Sequence, residues 1–180
     1  DIEQLTHEKL LTETEADSFD FGDDPESVDY GKLYENRIKL LRLAFKKFVP
    51  NKDYEQFCEE NTYWLDDYAL FMALKNANRD IPWYEWDKPL KMRETNSINK
   101  AKTDYRNDID FYKFVQFKFY EQWNELKEYA NDNGISIIGD IPIYVAYDSC
   151  DVWTNTKQFL LDDDLAPTVV AGCPPDAFSD

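Results

Sequence analysis

One histidine, five glycines and three cysteines are spread over 180 residues, and each scarcity removes a class of chemistry. The single histidine, His7, leaves no Ser-His-Asp triad and no His-based zinc site. None of the glycines falls in GxGxxG or P-loop spacing, so neither a dinucleotide nor a triphosphate cradle is expected. Cys58, Cys150 and Cys173 are odd in number and lack metal-ligand spacing; they read as reduced thiols of a cytoplasmic protein. Basic residues are also scarce, 20 against 37 acidic ones, for a net charge of -17. Nucleic-acid backbones and anionic membranes would repel such a chain. No apolar run approaches the roughly 20 residues of a membrane span, and no signal-peptide pattern occurs. Asp20-Phe21-Gly22 spells a kinase metal triplet but lacks the accompanying glycine-rich loop and HRD sequence. Asp162, Asp163 and Asp164 lack the glycine and closing glutamate of a calcium loop. No metal or cofactor is expected.

Large rings are abundant: 12 Phe, 12 Tyr and 5 Trp. They build either a core or a sugar-stacking surface, and composition alone does not choose. Helical periodicity is plain over 30–48, where Leu33, Tyr34, Ile38, Leu41 and Phe45 recur, Asp29 caps the start and Pro50 stops the helix. Further helices are expected over 52–60, 62–77 and 98–131, and one helical turn in 1–12. The last helix is apolar over so wide an arc that neighbours should cover both its sides. Residues 17–29 are an acidic loop, and 79–90 (RDIPWYEWDKPL) a packed loop or short turn. A short hairpin is expected around LLDDDLAPTVVAG, with Asp163 and Asp164 at its turn. The chain opens at Asp1 and stops after a Pro-Pro turn, so both ends read as cut from something longer.

The stretch GISIIGDIPIYVAYDSCDVW carries the chemistry. Gly134 ends the long helix. Ile135, Ile137, Ile138 and Ile141 then make the near-continuous apolar run of a strand buried on both faces of a parallel sheet, so the fold class is α/β. Asp140 sits at the carboxyl end of that strand, where parallel α/β folds gather their chemistry. Asp148 and Asp151 follow. Each carboxylate can accept hydrogen bonds from sugar hydroxyls, or can cap a turn beginning near Ser149. Paired acids could also act on a glycosidic bond, which requires carboxyls about 5–9.5 Å apart.

GDIPIYVAYDSCDVW and the later TVVAGCPPDAFSD, with the earlier LLTETEADSFDFGDDPESVDYGKLYENRIKLL, closely resemble the 4-α-glucanotransferases of glycoside hydrolase family 77. Cys150 departs from that pattern, which usually has alanine. The resemblance implies a fragment of a (β/α)8 TIM barrel, with residues 135–145 as the third barrel strand. Residues 1–132 would be a mainly helical insertion, and 133–180 the strand and the substrate loops after it. It implies retaining transfer of α-1,4-glucan segments between maltooligosaccharides, with the catalytic carboxylates on later strands outside this sequence. Asp140 then matches a residue lining the sugar site, and Asp176 and Phe178 match a loop that folds over the glucan. Asp148, Ser149 and Trp153 complete the expected substrate-binding set. The fragment alone would be inactive, and its unclosed strand edges would favour a homodimer. The competing reading is a non-catalytic helical scaffold or interaction module.

Overall fold

The structure, a computed structural model, describes residues 1–24, 26–170 and 172. It is helical. Nine α-helices follow one another among the described residues: α1 (Ile2–His7), α2 (Glu13–Asp17), α3 (Tyr30–Lys47), α4 (Lys52–Glu60), α5 (Thr62–Ala77), α6 (Lys88–Lys91), α7 (Thr95–Asp104), α8 (Arg106–Asp132) and α9 (Cys150–Thr154). The chain forms two compact units, one from Asp1–Leu65 and Asp110–Ile137, the other from Asp66–Ile109 and Ile138–Asp180.

The first unit is organised by rings. Asp29 starts α3 by accepting the Lys32 N–H at 3.0 Å, and Asn51 starts α4 by accepting the Tyr54 N–H at 2.9 Å. Each cap satisfies a backbone donor that the first helical turn leaves open. The rings of Phe45, Phe48, Tyr54 and Phe57 then meet Phe111, Phe114, Phe117 and Tyr120 of α8. Centroids lie 4.8 Å apart for Phe48–Phe114 and 5.4 Å for Tyr54–Phe117, tilted or edge-on as ring quadrupoles prefer. The burial of α3 is displaced from the expected stripe. Leu40 and Ala44 are buried, whereas Tyr34 stands exposed, because the first half of the helix has little packed on it.

Within this ring cluster Lys118 is buried. Its ammonium donates to Glu8 at 2.6 Å and Glu121 at 2.7 Å. It also lies 5.1 Å from the centre of the Phe117 ring. Burial alone would depress its pKa, but the bonds to Glu121 and Glu8 outweigh that and hold it above the usual lysine range. Glu121 is pushed up by the same burial, against the pull of Lys118.

In the second unit Leu70, Phe71, Leu74, Trp83, Trp86, Ile98, Ala101, Val152 and Trp153 form one buried core. The segment expected as a packed loop or short turn folds as a 3-10 turn at Trp83–Glu85 followed by α6. The long helix expected over 98–131 is two helices, broken at Tyr105, whose φ of -107° and ψ of 20° leave the helical well. An unbroken apolar pattern did not register that one backbone step.

The strand expected over 135–145 is not formed. No strand exists among the described residues, and residues 135–146 carry no regular element. Ile138, Ile141 and Ile143 are exposed, Ile138 at 93%. The physical reason is pairing: a strand exists only when neighbouring backbones take its N–H and C=O groups, and none runs beside this segment. The ladder edge through which a second copy would pair is therefore also missing among the described residues. The start of the segment is as expected. Gly134, at φ +73°, ends α8 in a Schellman turn, with Ile135 N–H donating to Ala130 O and Gly134 N–H to Asn131 O, both at 2.9 Å. The expected hairpin is reduced to one antiparallel bridge, Leu161 with Pro167. Its turn is organised by Asp162, whose carboxylate accepts from Asp164 N–H at 3.0 Å and Ala166 N–H at 2.8 Å.

Candidate functional site

The candidate residues lie in the second unit, and helix α5 supplies the anchor for one of them. Lys75, near the end of that helix, runs its apolar stem along the unit and reaches three oxygens. It donates to Asp148 Oδ2 at 2.7 Å, to Asp80 O at 2.9 Å and to Ile81 O at 3.1 Å. The other oxygen of Asp148 accepts the Trp83 N–H at 3.2 Å. Trp83 returns a second bond, from its indole N–H to Tyr147 O at 2.7 Å. The ring of Tyr147 stacks on Tyr84, centroids 4.4 Å apart and 8° from parallel. Its hydroxyl donates to Leu165 O at 2.6 Å, tying down the loop of the Leu161–Pro167 bridge. Burial raises the Tyr147 pKa, which keeps that hydroxyl a donor.

Ser149 is the N-cap of α9, its hydroxyl accepting the Val152 N–H at 3.3 Å. Trp153 has no exposed surface. Its indole donates to Leu90 O at 3.1 Å, and its ring meets Phe71 and Trp86. The Arg93 guanidinium lies 4.2 Å above the same ring and donates to Asp67 at 2.6 Å. Asp148, Ser149 and Trp153 are thus brought together, each engaged with the frame that holds 147–153 against 81–90. Asp140 stands apart from them, exposed, and accepts the N–H of its neighbour Ile141 at 2.8 Å. Asp176 and Phe178 lie outside the described residues.

Beside the frame opens an apolar cavity of about 550 Å³, lined by Tyr144, Tyr147, Val152, Phe159, Leu161 and Val169 among others. Cys150 is no nucleophile at ordinary pH: burial, with help from Asp67 and Asp151, pushes its thiol up to about 12. No cluster of metal-binding side chains occurs among the described residues. Chemically, the arrangement fixes a loop and presents carboxylate, hydroxyl and ring groups along it.

The residues that do this fixing were not singled out as a site. Lys75 falls within the helix expected over 62–77, and Trp83 and Tyr84 within the packed loop or short turn expected over 79–90. No spacing rule links Lys75 to Asp148, 73 positions away.

Comparison with known proteins places the chain in a family of carbohydrate-active enzymes. More narrowly, it belongs to glycoside hydrolase family 77, described as 4-alpha-glucanotransferase, whose sequence profile matches residues 1–180. A 4-alpha-glucanotransferase of Clostridium butyricum is 44% identical over 183 residues, covering 100% of this chain and 38% of the relative. That of Thermus thermophilus is 45% identical over 159 residues, covering 85% of this chain and 32% of the relative. Among solved structures, an amylomaltase from Streptococcus agalactiae in complex with acarbose matches with a TM-score of 0.92 at 40% identity. That match covers 100% of this chain and 37% of the other. The chain therefore spans well under half the length of these relatives.

Proposed function

We propose that the chain is a substrate-facing part of a 4-α-glucanotransferase, which moves α-1,4-glucan segments between maltooligosaccharides. The observation that carries this is a likeness along the whole of this chain, in sequence and in fold, to part of the 4-alpha-glucanotransferases and of an amylomaltase in complex with acarbose. In the longer protein, residues 135–145 become the third strand of a (β/α)8 barrel, whose neighbours take up the backbone groups and isoleucines left open here. Residues 1–132 are the helical insertion before it, and 133–180 the strand and its loops.

The transfer retains configuration. A carboxylate displaces the leaving sugar while an acid protonates its oxygen, and an acceptor hydroxyl then attacks the glycosyl-enzyme bond. Both carboxyl groups belong to the polypeptide beyond these residues. This part contributes binding. Asp140, exposed and holding the Ile141 N–H through one carboxylate oxygen, accepts sugar hydroxyls, and Asp176 and Phe178 close over the glucan by hydrogen bond and ring face. Asp148, Ser149 and Trp153 contribute by holding the loop in register, since their polar atoms already have protein partners. Reduced thiols and an acidic surface suit a cytoplasmic enzyme acting on neutral sugars.

The test is an assay with maltotriose. The 180-residue chain alone releases no glucose above a buffer blank, whereas a polypeptide of the relatives' length carrying these residues does. Glucose from the short chain, or silence from the long one, overturns the proposal.

A further inference from the structure

Helices α4 and α8 line a small hollow in the first unit. Asp53, Gln56, Phe57 and Glu60 of α4 are spaced i, i+3, i+4 and i+7, and so are Phe117, Tyr120, Glu121 and Asn124 of α8. That spacing puts each set on one side of its helix. The hollow between the two sets holds about 210 Å³. Its floor is aromatic: the Phe57 ring lies 5.6 Å from Phe117 and 5.4 Å from Tyr120, and Phe57 and Tyr120 are only half-buried. Its rim is polar. Asp53, Gln56, Glu60 and Asn124 are exposed, and Glu121 is half-buried. Part of the rim is already oriented, because Gln56 donates to Glu60 at 2.7 Å and Glu121 accepts from Lys118 at 2.7 Å.

We propose that this hollow binds one or two glucose units of an α-glucan chain. The choice of glucan rests on the reading above, that the chain serves a glucanotransferase; the choice of a neutral sugar rests on the hollow itself. A pyranose has an apolar C–H face and a belt of hydroxyls that both donate and accept. The ring floor suits the first. Gln56 and Asn124 can donate and accept, and Asp53 and Glu60 accept, which suits the second. Among the described residues no lysine or arginine lines the hollow, so a phosphorylated sugar or a nucleotide would meet carboxylates with no cation to offset them. An organic cation fits less well than a sugar. Two of the three carboxylates already have partners, in Gln56 and Lys118, and the amide N–H groups would face the cation's own positive charge. Size narrows the ligand further. Pockets that enclose a drug-sized molecule hold about 300–1,000 Å³, so this smaller one takes part of a chain whose remainder stays in solvent. A grip of this kind raises the local concentration of a long glucan more than that of a short one.

Amide-resolved NMR titration of the 180-residue chain with maltoheptaose tests this. Saturable shifts are expected at residues 53–60 and 117–124, with half-saturation in the millimolar range that suits an open hollow. The double variant Gln56→Ala with Asn124→Ala removes two rim groups and leaves the ring packing in place, since both side chains are exposed. Its affinity should be about tenfold weaker, the effect of losing two neutral hydrogen bonds. Unmoved amides in both segments at about 20 mM maltoheptaose overturn the proposal, and so does an unchanged affinity in the double variant. Shifts there with tetramethylammonium but none with maltoheptaose overturn it in favour of an organic cation. Transfer assayed on a polypeptide of the relatives' length separates this site from the reading above: absence of transfer removes the enzymatic reading, while the shifts at α4 and α8 alone decide the hollow.

Discussion

Asp148→Ala should loosen the second unit without touching its apolar core. The substitution removes both acceptors of the clamp at once. Lys75 loses a charge-assisted bond and Trp83 N–H its only side-chain acceptor described above. A broken bond to a charged group costs about 1.5–3 kcal/mol, and a stranded backbone N–H about 1 kcal/mol or more. Solvent lowers the first figure, because the Asp148 side chain is 33% exposed while that of Lys75 is 14% exposed. Lys75 also keeps its two carbonyl partners. The net expectation is a loss of about 2–3 kcal/mol, or roughly 4–12 °C in Tm for a chain of this size. Urea unfolding followed by tryptophan fluorescence reads it, since Trp83, Trp86 and Trp153 lie in the same unit. Asp148→Asn, which can keep the Trp83 bond, should lose about half as much. A double-mutant cycle with Lys75→Met should return a coupling of about 1 kcal/mol. A loss below about 0.5 kcal/mol with no coupling would refute the clamp. A direct glucan contact by Asp148 gives the opposite pattern, unchanged stability with a smaller heat of maltoheptaose binding.

Trp153→Ala should cost about 3–5 kcal/mol, because a fully buried indole is lost together with its bond to Leu90 O; a calorimetric loss under about 1 kcal/mol would contradict the packing described. Gly134→Ala should cost about 1 kcal/mol through backbone strain alone, since a Cβ there meets nothing within 4 Å while φ is +73°; an unchanged unfolding midpoint would argue against the left-handed turn. Glu15 should titrate near 2 by carboxyl NMR, because Lys47 and the Thr12 N–H stabilise its charged form. Its folded pKa lies below the unfolded value of about 4.5, so its contribution is complete above pH 4.5 and disappears as pH falls towards 2; an NMR midpoint at the ordinary value, or one that Lys47→Met leaves unmoved, would contradict the ion pair.

Helices were legible from the sequence because their signals are local. Asp29 and Pro50 bracket α3, and Gly134 ends α8, by chemistry that acts within a few residues. Where packing decides, the sequence was silent. Ile135–Ile141 has the composition of a buried strand, but a strand needs partners, and the run cannot supply them. Tyr105 breaks a helix inside an unbroken apolar pattern, since periodicity records faces and not single backbone steps. Among the candidate residues, Ser149 was readable as a turn position and is a cap. Trp153 offered no sign that its ring is enclosed, because a tryptophan beside acids suits a groove as well as a core. Asp148 lay in view while its partner did not: Lys75 is joined to it only once the chain has folded.

Lys118 has a practical consequence. Acylating reagents consume unprotonated, accessible amines, and this one is neither, being enclosed by rings and held as an ammonium by Glu8 and Glu121. Its modification must wait for the surrounding helices to part. Measured against Lys100, whose side chain is 77% exposed, the lag in labelling at Lys118 is a built-in clock for the breathing of the ring-packed unit, and it needs no mutation to read.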